Sequence, residues 1–166
     1  MTSDRFILVY FDVDGTILYN DLPPADWDDP QGRHPTTGED IYGEMPIYNS
    51  HAYLNPELRP GDMQHIRHIL TCRPRIRREY TLNVLRKHGI VTCTDFFHSG
   101  QYTRDSGLKW KANQLWWHLA DYYVDNDPAY RRDLTEWLEW EGSDCQCISV
   151  AEWQRLLDAG VFTWRS

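Results

Sequence analysis

Hydrophobic and polar residues follow two periods along this chain. Residues 6–11 read Phe-Ile-Leu-Val-Tyr-Phe, and Asp12-Val13-Asp14-Gly15-Thr16 follows at once. A continuous apolar run stopped by a turn signal predicts a strand buried on both faces. Residues 65–71, with Ile66, Ile69 and Leu70, predict a second core strand. After Pro74, the spacing of Ile76, Tyr80, Val84 and Leu85 predicts a helix to about His88, with Gly89 as its stop. Residues 90–97 predict a third strand, and a turn-rich segment with Gly100 and Gly107 comes next. Ala112, Leu115, Trp116 and Leu119 fall at i, i+3, i+4 and i+7, so a helix starts near residues 109–111. Tyr122–Val124 is a short strand closed by Asp125. Asp127-Pro128 supplies an N-cap and a first-turn proline to a helix that buries Tyr130, Leu134, Trp137 and Leu138 and stops at Gly142. Residues 145–148 predict a fifth strand, and Ser149 with Glu152 forms a capping box for a last helix ending at Gly160.

Strands and helices alternate, which predicts an α/β fold: a Rossmann-like, mostly parallel sheet of about five strands flanked by helices. Residues 20–62 stand apart. They hold seven of the nine prolines, many acids and little periodicity. A stretch of that kind reads as a long flap or loop after the first strand, with room for a short hairpin but not for a large cap. No internal repeat and no second domain is visible, so residues 1–166 read as one domain.

Charge changes the picture more than composition does. The formal net charge of -8 opposes non-specific binding to nucleic acid, which feeds on excess Lys and Arg. Arg73, Arg75, Arg77 and Arg78 nevertheless form a local basic strip. Eight Trp and ten Tyr are many for this length, so some are expected at the surface or along a groove. Cys72, Cys93, Cys145 and Cys147 fit no common zinc spacing and read as ordinary buried thiols. Asp4 and Arg5 leave only a six-residue apolar run near the N-terminus, which does not resemble a signal peptide. No run reaches the ~20 apolar residues of a membrane span, so a cytoplasmic protein with no membrane partner is expected.

In an open α/β sheet, ligands bind beyond the carboxyl ends of the strands. Here the first strand ends at Asp12 and Asp14, the second at Thr71 and the fourth at Asp125 and Asn126. Lys109 and Lys111 begin the helix that leads into the fourth strand. Carboxylates with an amide oxygen suit a hard cation, and Mg²⁺ needs few protein ligands. A Lys ammonium and a Thr hydroxyl bind phosphate. One carboxylate can attack phosphorus, and a second, two residues on, can protonate the leaving oxygen and then take a proton from water.

Asp12-Val13-Asp14-Gly15-Thr16, Thr71, a Lys at 111 or 109 and Tyr-Tyr-Val-Asp-Asn-Asp-Pro at 122–128 resemble, in order, the four motifs of the haloacid dehalogenase (HAD) superfamily. The resemblance implies a nucleophile and metal ligand in Asp12. Asp14 becomes the general acid/base, with its backbone carbonyl on Mg²⁺. Thr71 and the Lys become phosphate clamps, and Asp125 and Asn126 complete the metal site. Lys111 is favoured as the catalytic lysine because Leu115 lies four residues on, as a helix-starting Lys requires. Many relatives carry Gly-Asp or Asp-Asp where this chain has Asp125-Asn126. The Asp-Asn version is similar to phosphatases acting on the polymerase tail. An acid at Asp14 implies a phosphatase and not a dehalogenase.

Thr71-Cys72-Arg73-Pro74 and Tyr80-Thr81-Leu82, followed by Arg86-Lys87-His88-Gly89, look most like the phosphatase domain of polynucleotide kinase/phosphatase enzymes. That comparison implies a phosphate on a nucleic-acid end as substrate. Gly15, Thr16, Cys72, Arg73, Arg104 and Lys109 are then candidate substrate contacts, and Trp27, Tyr42, Tyr48 and Tyr53 candidates for base stacking. The negative net charge favours the alternative of a nucleotide or other small phosphate ester. A third alternative is a binding or regulatory module without turnover.

Overall fold

The computed structural model describes residues 6–20, 52–98 and 103–162. In chain order they form β1 (Val9–Phe11), β2 (Leu18–Asn20), β3 (Ala52–Leu54), β4 (His68–Pro74), α1 (Arg78–Lys87), β5 (Thr94–His98), α2 (Arg104–Trp117), β6 (Tyr122–Val124), α3 (Pro128–Glu141), β7 (Gln146–Ile148) and α4 (Val150–Asp158). Five strands make one sheet in the order β5-β4-β1-β6-β7, and each neighbouring pair is parallel. The alternating α/β sequence pattern therefore folds as expected, with β1 at the centre.

The sheet is buried on both faces, and its side chains sort by the strand period of two. Val9, Phe11, Ile69, Val124 and Ile148 join Leu82 and Leu85 of α1 and Val150 and Trp153 of α4 in one core. Phe11 and Trp153 meet edge to face at 4.9 Å. Tyr10, Leu70 and Tyr123 face the other way, onto Leu108, Ala112 and Leu115 of α2 and Leu134 and Leu138 of α3. The result is a three-layer sandwich. It sets α2 and α3 on one face and α1 and α4 on the other.

Several boundaries differ from the expected ones. The first strand is only Val9–Phe11. The second begins at His68 and runs on to Pro74, because Pro60–His65 coils into a 3-10 helix that consumes the residues before it. Helix α2 starts at Arg104 and carries Gly107 inside it. The Thr103 hydroxyl accepts from the Ser106 N–H, and the Ser106 hydroxyl accepts from the Thr103 N–H, which starts the helix earlier than the glycine signal suggested. Leu119 lies past the helix end at φ 53, and it is exposed with Trp116, so neither extends the buried stripe.

Part of the expected flap, residues 21–51, lies outside the described residues. Its two flanks pair as the antiparallel ribbon β2–β3. Asn55 anchors the returning strand: its side-chain amide donates to the Thr16 carbonyl at 2.8 Å. The four cysteines are free thiols, but Cys93 is exposed and not buried. None of the described helices is long and apolar enough to cross a membrane.

Candidate active site

The five parallel strands finish at one edge of the sheet, and two carboxylates are stitched there by backbone bonds. The Asp12 N–H donates to the Val124 carbonyl at 3.0 Å, and the Asp125 N–H donates to the Ile148 carbonyl at 2.9 Å. Asp12 follows β1 and Asp125 follows β6, so the pairing of these two strands sets the acids side by side. Both are buried.

Helix α2 brings the cation. Leu108, Ala112 and Leu115 form its buried stripe, and Lys111 stands on that stripe at the i+3 position. Its Nζ donates to Asp12 Oδ1 at 3.0 Å and to the Tyr123 hydroxyl. The same ammonium lies over the ring of Tyr130, 4.9 Å from its centroid. The Tyr123 hydroxyl in turn donates to Asp125 Oδ2 at 3.2 Å. Lysine has no acceptor, so the direction of this chain is fixed: ammonium to hydroxyl to carboxylate.

Burial dominates the electrostatics. It pushes the Asp12 carboxyl up to about 7, while the Lys111 ammonium pulls down and the charges of Asp125 and Asp14 add to the rise. Burial also raises Asp125, against the pull of Lys111 and of hydrogen bonds from the Asp127 N–H and Tyr123. For Lys111 burial is the largest single effect and acts downward, but the surrounding acidic groups, Asp12 first, together outweigh it and hold the ammonium well above its ordinary value. Tyr123 is held well above the usual phenol range, first by burial and then by the charges of Asp12 and Asp125.

Asp14 is half-buried and engaged by Arg73. Arg73 Nε and Nη2 donate to the two Asp14 oxygens at 2.9 and 2.7 Å. Arg73 Nη1 donates to Thr81 Oγ1 at 3.0 Å, and the Arg73 N–H donates to Thr71 Oγ1 at 3.1 Å. This fork joins the end of β4, the acid after β1 and helix α1. Thr16 is likewise turned inward. Its hydroxyl donates to Asp12 Oδ2 at 3.4 Å and accepts from the Asn126 N–H at 3.2 Å. Gly15 has φ +74, a left-handed turn that a side chain would strain.

The other sequence candidates spread outward from this centre. Cys72 is half-buried with Sγ 4.0 Å from the Tyr130 hydroxyl, and burial pushes its thiol up. Arg104 pairs with Asp133 at 2.6 Å and lies 5.7 Å from the centroid of the Tyr130 ring, which Lys111 also approaches. Lys109 is exposed and makes none of these contacts. Asn126 joins the site through its backbone. Its Oδ1 accepts from the Val150 N–H at 3.0 Å, and its Nδ2 donates to Tyr19 and to Glu57, each at 3.4 Å. Tyr53 is 40% exposed and stacks on Tyr19 with ring centroids 5.9 Å apart. Trp27, Tyr42 and Tyr48 lie outside the described residues.

Two residues central to this geometry were not expected as site residues from the sequence. Tyr123 shares a strand face with Asp125 by the period of two, a signal the sequence carries. Arg131 donates to the Asp125 carbonyl at 2.7 Å and has only a helix's first turn to announce it.

The donor chemistry fits a cation that asks little of the protein. Among the described residues no group of three or more His, Cys, Asp or Glu gathers as a metal cage. Asp12 and Asp125 are two buried acids, and the charge of Asp125 raises Asp12, so positive charge beside them relieves a real repulsion. Mg²⁺ is commonly held by one or two carboxylates, with waters and substrate phosphate as its remaining ligands. Comparison with protein-family models, curated proteins and solved structures finds no match.

Proposed function

We propose that the chain is a Mg²⁺-dependent phosphoric monoester hydrolase of the HAD type, acting through an aspartyl-phosphate on Asp12. The observation that carries this reading is the buried Asp12–Lys111 pair at the end of β1, with Asp125 beside it and Asp14 two residues on. A buried ion pair is poor evidence of a purely structural role, because its desolvation penalty can exceed its attraction. Paired acids and a lysine at the ligand-binding edge of a parallel sheet are better explained by chemistry.

In this reading an Asp12 oxygen attacks phosphorus, and the bond from phosphorus to the ester oxygen breaks. Asp14, with one oxygen released from the Arg73 fork to carry a proton, gives that proton to the departing oxygen. Asp14, now ionised, removes a proton from water as that water attacks the same phosphorus. The bond from phosphorus to Asp12 then breaks, and inorganic phosphate leaves. Lys111 spends two of its three N–H bonds on Asp12 and Tyr123; the third serves a phosphoryl oxygen. Asp12 and Asp125 would hold Mg²⁺, which would supply the positive charge that lets a carboxylate approach a phosphate dianion.

Arg73 has its part through Asp14. Its fork fixes both oxygens of the acid, and Lys cannot reproduce that geometry. Arg73→Lys is expected to lower kcat by about tenfold, the scale of a lost charge-assisted hydrogen bond. Steady-state rates with a saturating ester check this, and a parent-like kcat contradicts it.

A nucleic-acid end is the proposed substrate. Supporting this are the resemblance of Thr71-Cys72-Arg73-Pro74 to polynucleotide phosphatases and the stacked Tyr19–Tyr53 pair, which Asn126 ties to the strand-end edge. The test is a panel of esters with Mg²⁺: an aryl phosphate, nucleoside 3′- and 5′-monophosphates, a 3′-phosphorylated oligonucleotide and a phosphopeptide. Fastest release from the oligonucleotide is expected, with a rate that falls as salt rises. Faster release from the monophosphates makes the protein a nucleotidase instead. Release from none of them overturns the hydrolase reading.

A further inference from the structure

We infer that Tyr123 is a positioning residue for Lys111: its hydroxyl, set between the Lys111 ammonium and the Asp125 carboxylate, fixes where that ammonium meets Asp12. This inference deepens the hydrolase reading above and rests on it for its catalytic half.

The strand position of Tyr123 asks only for an apolar side chain. The residue is fully buried, among Tyr10, Leu70, Leu108 and Leu134. A phenol in such a core costs free energy unless its hydroxyl is bonded. Here the hydroxyl accepts from one charged group and donates to another, so both of its bonds are charge-assisted. A leucine or phenylalanine would fill the space and make neither bond.

Lys111 needs that help. Lysine ends in a compact charge on a flexible four-carbon stem, and holding it in one geometry costs rotamer entropy. Asp12 alone would hold the ammonium by one bond at 3.0 Å. The Tyr123 hydroxyl adds a second direction, and the ring of Tyr130 closes another side. With two bonds fixed, the direction of the third N–H is fixed as well, ready for a phosphoryl oxygen. A reacting group held within a fraction of an ångström of its working place is what separates a fast site from a merely assembled one. The same hydroxyl joins Lys111 to Asp125, so the ammonium that serves the phosphate and the carboxylate that would hold Mg²⁺ move as one.

Tyr123→Phe isolates the oxygen. It keeps the ring, its volume and its place under Lys111. Two measurements are made on the full chain with Mg²⁺. Steady-state kinetics with the best ester of the panel should show kcat lowered by ~10–100-fold, the scale of a lost bond to a charged group, with KM changed far less. The side-chain ¹⁵N spectrum should show a slowly exchanging Lys111 ammonium in the parent and a faster-exchanging one in Tyr123→Phe. Melting within a few degrees of the parent is expected.

A parent-like kcat, or an unchanged Lys111 signal, overturns the inference. So does a variant that fails to fold, because the hydroxyl is then needed for structure. If the parent releases no phosphate from any ester, the hydrolase reading falls. The Lys111 signal still judges the holding of the ammonium by Tyr123.

Discussion

Asp12→Asn abolishes phosphate release, lowering kcat by roughly 10⁴-fold or more, the scale seen when a catalytic nucleophile is removed. The substitution is nearly isosteric, so it keeps the packing around residue 12. Burial already pushes the Asp12 carboxyl up to about 7, so the folded state gains little from its charge. An amide there relieves repulsion with Asp125 and Asp14 and still accepts from Lys111. The buried Lys111 ammonium nevertheless loses its paired carboxylate, so the variant should melt below the parent, and it should lose turnover even where it is fully folded. Phosphate release measured alongside thermal melting checks both halves. Residual activity within tenfold of the parent would remove Asp12 from its role.

The second large effect belongs to Lys111. Lys111→Met keeps the length of the side chain and its place on the buried stripe of α2, but removes the charge that meets Asp12. Loss of one preorganised charge-stabilising donor costs on the order of 10²–10³-fold in kcat. The pH dependence shifts with it. The attack requires an ionised Asp12, burial raises that carboxyl, and Lys111 is what pulls it down. Without the ammonium the folded-state value rises further, and the acid limb of kcat/KM moves to higher pH. Lys109→Met is the comparison: Lys109 is exposed, two residues away on another helix face, and its loss should leave both rate and pH profile as they are. Equal losses from the two lysines would contradict the assignment.

Much of this site was legible in the sequence, for reasons that particular residues show. The apolar run before Asp12 and the alternation of strands and helices both depend on short-range pattern, and they put Asp12 and Asp125 at one edge of the sheet; that their strands are neighbours comes from the pairing of β1 with β6. The choice between the two lysines was also present. Leu108, Lys111, Ala112 and Leu115 fall at i, i+3, i+4 and i+7, so Lys111 shares the buried face and Lys109 does not.

What the sequence hid were long-range and capping contacts. The Arg73 fork on Asp14 spans 59 positions, and nothing local announces that this arginine turns onto the acid. Asn126 reads as a metal ligand by resemblance, and nothing in the sequence shows that its amide oxygen also accepts from the first N–H of α4, using one of its two lone pairs. That bond depends on how β7 delivers its helix to the next loop. The start of α2 was placed late because Gly107 is a strong local signal, and the capping box of Thr103 and Ser106 overrides it. Tyr123 was read as strand core, which it is; only the folded position of Lys111 reveals what its hydroxyl does.

The nucleophile is tested most directly by trapping it. The protein is mixed with a rapidly cleaved phosphate ester and Mg²⁺, quenched in acid within the first turnover and digested, and its peptides are weighed. The peptide containing Asp12 should carry one added phosphoryl group, placed on Asp12 by fragmentation and absent from Asp12→Asn. Turnover with no phosphorylated Asp12 at any quench time, or a phosphoryl group found on another residue, would contradict covalent catalysis by Asp12.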